Sequence, residues 1–150
     1  MEAFICREIE EREAEKLAAV FGDYLLPYLQ FGPGRATIAA FRDGRPAGFL
    51  AVGPEKFGEP LSGLSDAMIH IIEVDKNCRR QGAATALLAA AEAFARKEGY
   101  FQIRAWSSYD KKEAVPMWVR RGYAVCPAQS YSGRIHDYVD GFYAAKRLDA

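Results

Sequence analysis

Apolar positions repeat with two periods along this chain, and the switches between them predict most of its elements. Met68 to Val74 is almost continuously apolar, broken only by His70 and Glu73, which fits a largely buried strand; Asp66 to Asp75 reads as the central strand. A polar turn runs from Asp75 to Gly82. Then Ala84, Leu87, Leu88, Ala91, Phe94 and Ala95 fall on one face of an amphipathic helix, read as Arg80 to Lys97, with Gly99 as its stop.

The flanks follow the same logic. Ala3 to Ile9 alternates and reads as a first strand, and Glu10 to Phe21 as a helix with Ala14, Leu17, Ala18 and Phe21 on one face. A short helix is expected over Tyr24 to Gln30, carrying Tyr24, Tyr28 and Phe31 as an aromatic stripe. That stripe is either core or one wall of a pocket. Arg35 to Phe41 and Pro46 to Val52 read as a hairpin around Asp43-Gly44, with a loop from Gly53 to Ser65. Phe101 to Trp106 is a strand, Lys111 to Arg121 a helix stopped by Gly122, and Tyr123 to Cys126 a strand. Ala128 to Asp140 reads as a polar loop and Gly141 to Leu148 as the last strand, apolar enough to pair with a second copy of the chain. No repeat or linker interrupts this order, so residues 1–150 form a single α/β domain.

Composition narrows the function. The 150 residues are half hydrophobic with a formal net charge of zero, which suits one globular domain and argues against a general nucleic-acid partner. No apolar run approaches the roughly 20 residues of a membrane span. The charged N-terminal stretch does not read as a signal peptide. Three widely spaced cysteines suggest no zinc or redox pair, and a reducing cytoplasm is the simplest setting.

The turn carries the chemistry. A strand, a basic glycine-containing turn and a helix start make an anion site, because the first N–H groups of a helix lack internal partners and the helix dipole is positive there. Arg79 and Arg80 add charge, Gly82 lets a ligand approach the backbone, and Ala83 and Ala84 keep that approach low. A phosphate or pyrophosphate is the natural guest. The turn matches neither the P-loop nor the dinucleotide fingerprint.

Arg79 to Ala84, R-R-Q-G-A-A, resembles the pyrophosphate motif Q/R-x-x-G-x-G/A of the GCN5-related N-acetyltransferases (GNAT). The element order resembles that fold across the whole chain. A second segment, Ala114 to Tyr123, is similar to the family's A-x-x-x-Y-x-x-x-G-F/Y, with Trp118 in place of its tyrosine and Lys111 where an asparagine is often found. The resemblance implies a mostly antiparallel mixed sheet of about seven strands with about four helices, splayed at the central strands. It implies acetyl-CoA as cosubstrate without a metal, its pyrophosphate on Arg79, Arg80, Gln81, Gly82, Ala83 and Ala84, and its pantetheine arm paired with the backbone of Ile72, Glu73 and Val74.

Acetyl transfer to an amine needs a base of near-neutral pKa, donors for an oxyanion and a proton for the leaving thiolate. Strand alternation sets Met68, His70, Ile72 and Val74 on one face and Glu73 on the other. Relatives carry a base at positions matching Met68 or His70, so His70 is the candidate base; a hydrogen-bonded core histidine is the plain alternative. Trp118 cannot donate as a phenol does; Tyr109 lies just before its helix and Tyr123 just after, and Tyr109 is the candidate substitute acid, with a surface tyrosine as the plain alternative. Tyr24 and Tyr28 are candidates for the acceptor wall. The reading is an N-acetyltransferase acting on a small-molecule or peptide amine; a non-catalytic acyl-CoA sensor is the alternative, favoured by the loss of the tyrosine at Trp118.

Overall fold

The computed structural model describes residues 3–148. Strand β1 (Ile5–Glu8) leads through a 3-10 turn at Glu11–Glu13 into helix α1 (Ala14–Phe21), followed by a 3-10 segment, Asp23–Tyr28. Strands β2 (Ala36–Arg42), β3 (Arg45–Lys56) and β4 (Ser65–Val74) precede helix α2 (Ala83–Glu98) and strand β5 (Gln102–Ser108). A further 3-10 segment, Tyr109–Ala114, runs into helix α3 (Val115–Arg120), and strands β6 (Ala124–Ser132) and β7 (Asp137–Arg147) close the chain.

The strands form one sheet in the order β1-β2-β3-β4-β5-β7-β6, antiparallel except for β4 beside β5. This mixed, open sheet is the expected α/β architecture. Asp43 and Gly44, both at positive φ, make the tight turn between β2 and β3. On one face α2 buries Leu87, Leu88, Ala91 and Ala95 against Ile38, Leu50, Val52, Ala67, Ile69 and Ile103. On the other, α1 and the first 3-10 segment bury Leu17, Ala18 and Leu25 against Ala39 and Phe49, with Phe21 edge-on to Phe49 at 5.0 Å. Among the described residues no helix is long and apolar enough to cross a membrane.

Three expectations need correction. The stretch 128–140 is not a loop: β6 runs to Ser132 and β7 starts at Asp137, pairing from Ala124↔Ala145 to Ser132↔Asp137. Exposed polar residues alternate there as on any two-sided hairpin, which conceals the strand period. The last strand, β7, lies between β5 and β6, so it has no free edge for a second copy; the free edges belong to β1 and β6. Residues 53–56 continue β3, leaving the connection to β4 at 57–64.

Candidate active site

The sheet opens where its one parallel pair fails. Strands β4 and β5 pair only through Ala67↔Ile103, Met68↔Arg104 and Ile69↔Ala105. Beyond Ile69 the two strands part, and the edge of β4 from His70 to Val74 has no strand beside it. On the other side β3 pairs with β4 in a register that slips: Ala51 faces Ile71, but Val52 faces Ile69. His70 is therefore the extra residue of a β-bulge at the point of splaying.

The bulge corrects the expected faces. An extra residue reverses the side-chain alternation beyond it. Ala67 and Ile69 join the cluster under α2, and so do Ile72 and Val74, whereas Ile71 joins the cluster under α1. Met68, His70, Ile72 and Val74 thus do not share one face. Ile71, next to the bulge, faces the α1 side, and the charges that act on His70 are those of Glu55 and Arg35. Glu73 points to that same side and accepts the Tyr24 hydroxyl at 2.5 Å.

The backbone along the open edge can be assigned from the ladder. The Asp75 N–H donates to Ala47 at 2.8 Å, so Asp75–Ala47 is a hydrogen-bonded pair. Such pairs alternate along an antiparallel ladder, so Glu73 bonds Phe49 and Ile71 bonds Ala51. Ile72 and Val74 then turn their N–H and C=O groups into the cleft. The Val74 carbonyl already accepts from Arg79 Nε at 3.4 Å, which ties the basic turn to the strand end. Of the three residues expected to offer backbone there, Ile72 and Val74 do so, and Glu73 contributes its side chain to the α1 side.

The turn that follows is shaped for an anion. Arg80 at φ 62° and Gly82 at φ 90° both adopt the left-handed region, which folds the chain tightly before α2. The first helical bond runs from Ala86 to the Gly82 carbonyl at 3.0 Å, so the N–H groups of Ala83, Ala84 and Thr85 have no partner within the helix. A Cβ on Gly82 would meet no atom within 4 Å, so the space above the turn is open. Gln81 stands at the base of the turn: its amide donates to the Asn77 carbonyl at 3.2 Å and accepts from Arg42, which itself stacks over Phe4 at 4.0 Å. The sequence marked Gln81 as a ligand residue; its side chain serves here to hold the turn. Arg79 and Arg80 are exposed.

His70 carries the least satisfied polar atom near the cleft. Its Nε2 is buried and has no hydrogen-bond partner among the described residues. Burial holds its pKa below the usual imidazole value, with Glu55 working against that shift and Arg35 with it. The ring is therefore neutral at pH 7. Tyr24 is half exposed; partial burial, the hydrogen bond to Glu73 and the charge of Glu73 push its hydroxyl up to about 12, so it stays a donor. Tyr28, also half exposed, lies on the same 3-10 segment.

Tyr109 sits at the end of β5, the other lip of the cleft, 43% exposed, on a hollow of about 270 Å³ with Pro127, Ala128, Gln129, Asp140 and Gly141. Trp118 is elsewhere: it is buried among the α2-side residues, edge-on to Tyr123 at 4.9 Å. One residue the sequence reading passed over belongs to the site. Continuing the β4–β5 register sets Trp106 opposite His70 across the gap, and its indole N–H donates to Ala128 at 3.1 Å. A Cβ on Gly141 would lie 2.5 Å from that ring, so glycine makes room for it. The alternation of 101–106 marked Trp106 as facing away from Ile103 and Ala105, but not what it faces.

A larger hollow, about 330 Å³, lies at the far end of β4, lined by Gly34, Ser65, Tyr100 and Phe101 among others. It is remote from the open edge, and the 57–64 connection shapes it rather than the cleft. Among the described residues no three His, Cys, Asp or Glu side chains gather as a metal site needs.

Comparison with known proteins places the fold. The model of the acetyltransferase (GNAT) family matches residues 4–123. A GNAT-family acetyltransferase from Streptococcus pneumoniae superposes with a TM-score of 0.72 at 17% identity, covering 98% of this chain and 100% of that one. The ribosomal-protein-S18-alanine N-acetyltransferase of Escherichia coli gives 0.74 at 14% identity, covering 99% and 96%. An acetyltransferase from Salmonella typhimurium, solved with its cofactor acetyl-CoA, gives 0.73 at 12% identity, covering 99% and 95%. At these identities the likeness establishes the fold alone. No curated protein sequence matches the chain.

Proposed function

The chain belongs to the acetyltransferase (GNAT) family, and from that premise we propose that it transfers an acetyl group from acetyl-CoA to the primary amine of a small molecule or peptide. One observation carries the reading: the open edge of β4 leads directly into an anion-binding turn, so one continuous backbone surface fits a pantetheine arm and its pyrophosphate. The Ile72 and Val74 backbone groups take the arm. The free N–H groups of Ala83, Ala84 and Thr85, with Arg79 and Arg80, take the phosphates. When bound, the cosubstrate brings a thioester carbonyl: the amine nitrogen bonds to its carbon, the C–S bond breaks, and CoA leaves as thiolate.

This chain's residues handle the protons. An alkylammonium must lose one before it attacks, and neutral His70, with a buried unpartnered Nε2, is the group able to receive it. A free N–H at Ile72 or Val74 suits the developing oxyanion. Tyr109 is the phenol on the opposite lip and the candidate donor to the thiolate, whose own pKa of roughly 8.5 makes the demand slight.

A sensor that binds acyl-CoA without reacting is the second reading, favoured by Trp118, a buried indole at the family's tyrosine position. Calorimetric titration with CoA, together with thiol release from acetyl-CoA over a mixed amine panel, separates the two. Amine-dependent thiol release establishes the enzyme. Binding without it establishes the sensor.

A further inference from the structure

The α1 side of the cleft carries a carboxylate that neither cosubstrate binding nor proton transfer explains. Glu73 uses its oxygens unequally: Oε2 accepts the Tyr24 hydroxyl, and Oε1 accepts no hydrogen bond among the described residues. None of the ion pairs among the described residues involves it. An anion left in this position is costly to the proposed function. It stands one residue from Val74, on the strand that ends in the phosphate turn, and a polyanionic cosubstrate there repels it unless a cation intervenes. Its partner Tyr24 is 52% exposed, so an aromatic ring open to solvent stands beside the carboxylate, a combination suited to ammonium groups.

The spacing to the base is also informative. Glu73 stands three positions beyond His70 on β4, past the bulge, with its side chain on the α1 side. Three residues of strand span about 10 Å. An acceptor whose reacting amine is at His70 therefore has its remote end near Glu73, a separation that a short flexible chain covers.

We propose that Glu73, held by Tyr24, receives a second, non-reacting ammonium group, so that the acceptor class is a di- or polyamine. This rests on the N-acetyltransferase reading above. The Tyr24 bond fixes one oxygen and aims the other, which makes the carboxylate a preorganised cation receptor rather than a mobile surface charge.

The test compares hexamethylenediamine with hexylamine at saturating acetyl-CoA, in wild type and Glu73→Gln. Wild type is expected to favour the diamine by at least about tenfold in kcat/KM at low ionic strength, with added salt eroding the preference. Glu73→Gln is expected to reduce that preference to within about threefold, through the KM for the diamine. Tyr24→Phe, which keeps the charge but releases it, should retain part of the preference. Equal use of both amines by wild type overturns the inference and needs no variant to fold; so does a Gln variant, shown folded by its thermal melt, that keeps the full preference. In both cases the N-acetyltransferase reading stands. If neither these amines nor the mixed panel yields product although acetyl-CoA binds, that reading falls and takes this inference with it.

Discussion

At the scale of single residues, His70 is where the sequence was both most and least informative. Its type marked it as a base candidate, and the structure gives it a neutral ring with an open, buried Nε2. Its direction was not legible, because a bulge has no signature in an apolar run and the period-two rule assumes its absence. His70→Gln removes basicity while keeping approximate size. A proton relay through this ring predicts a fall in kcat/KM of about 10²–10⁴-fold at neutral pH, with CoA affinity within about threefold of wild type. The acidic limb of the wild-type profile should lie below about 6.5, since burial disfavours the imidazolium, and the variant should lose that limb. The same shift has a stability sign. As pH falls through 6.5 the unfolded chain takes a proton that the folded chain withholds, so wild type loses stability over that interval and the variant does not. Rate and melt measured on one preparation separate the two consequences: a variant with the wild-type pH–rate profile removes His70 from catalysis, whatever its melt shows.

At the scale of elements, helix α2 and its turn were legible and the β6–β7 hairpin was not. The helix announces itself by a 3.6-residue stripe because only one side of it is buried. The hairpin presents exposed residues on both faces, and Tyr131 stacks edge-on against Tyr138 near its tip, a cross-strand pair that no local pattern predicts. The turn permits a clean experiment. At φ 90° any side chain on Gly82 is strained, by roughly 1–2 kcal/mol, but the space above it is open. Gly82→Ala and Gly82→Asp should therefore both lose stability, the aspartate less because its charge faces the positive helix start, while only the aspartate sets a negative charge beside the phosphates. Calorimetry should show CoA affinity at least about tenfold weaker in the aspartate variant than in the alanine variant. Equal affinities would mean that the phosphates do not bind at this helix start. Trp118 gives the contrasting case. Buried against Tyr123, it is a packing residue, and Trp118→Tyr should cost about 1–3 kcal/mol in denaturant unfolding.

At the scale of the whole molecule, the two helices on one face and the C-terminal strand are joined through a single buried carboxylate. Glu92 of α2 is 2% exposed, yet it accepts from the Tyr123 hydroxyl at 2.9 Å, Arg121 at 3.1 Å and Lys146 at 2.8 Å. Lys146 also donates to the Arg121 carbonyl at 2.8 Å, closing the cluster behind α3. Nothing in the sequence shows this, because the partners are far apart along the chain and Glu92 interrupts an alanine-rich helix as any solvated glutamate does. Burial alone would raise its pKa; the hydrogen bonds from Lys146, Tyr123 and Arg121 outweigh that and hold it below the usual carboxylate value. A carboxylate depressed in the folded state contributes stability that is complete above the unfolded value of about 4.3 and is lost as pH falls toward the folded one. Asp66 works in the opposite sense. Its burial raises its pKa despite Gln102 and Arg104, so its protonation favours the fold as pH drops. The two contribute to the wild-type acid slope with opposite signs, and Glu13, lowered by its bond from Arg7, adds to the Glu92 side. Glu92→Gln leaves two cations facing a neutral amide and should cost about 3–5 kcal/mol at pH 7. It should also flatten the loss of stability below pH 4.3, since a group that supplied it no longer titrates. Urea unfolding of both proteins at pH 7 and at pH 4 reads both effects. A Gln variant that keeps the wild-type acid slope would place the acid sensitivity outside this cluster, and one that keeps the wild-type stability at pH 7 would mean that the charges at Lys146 and Arg121 are satisfied without it.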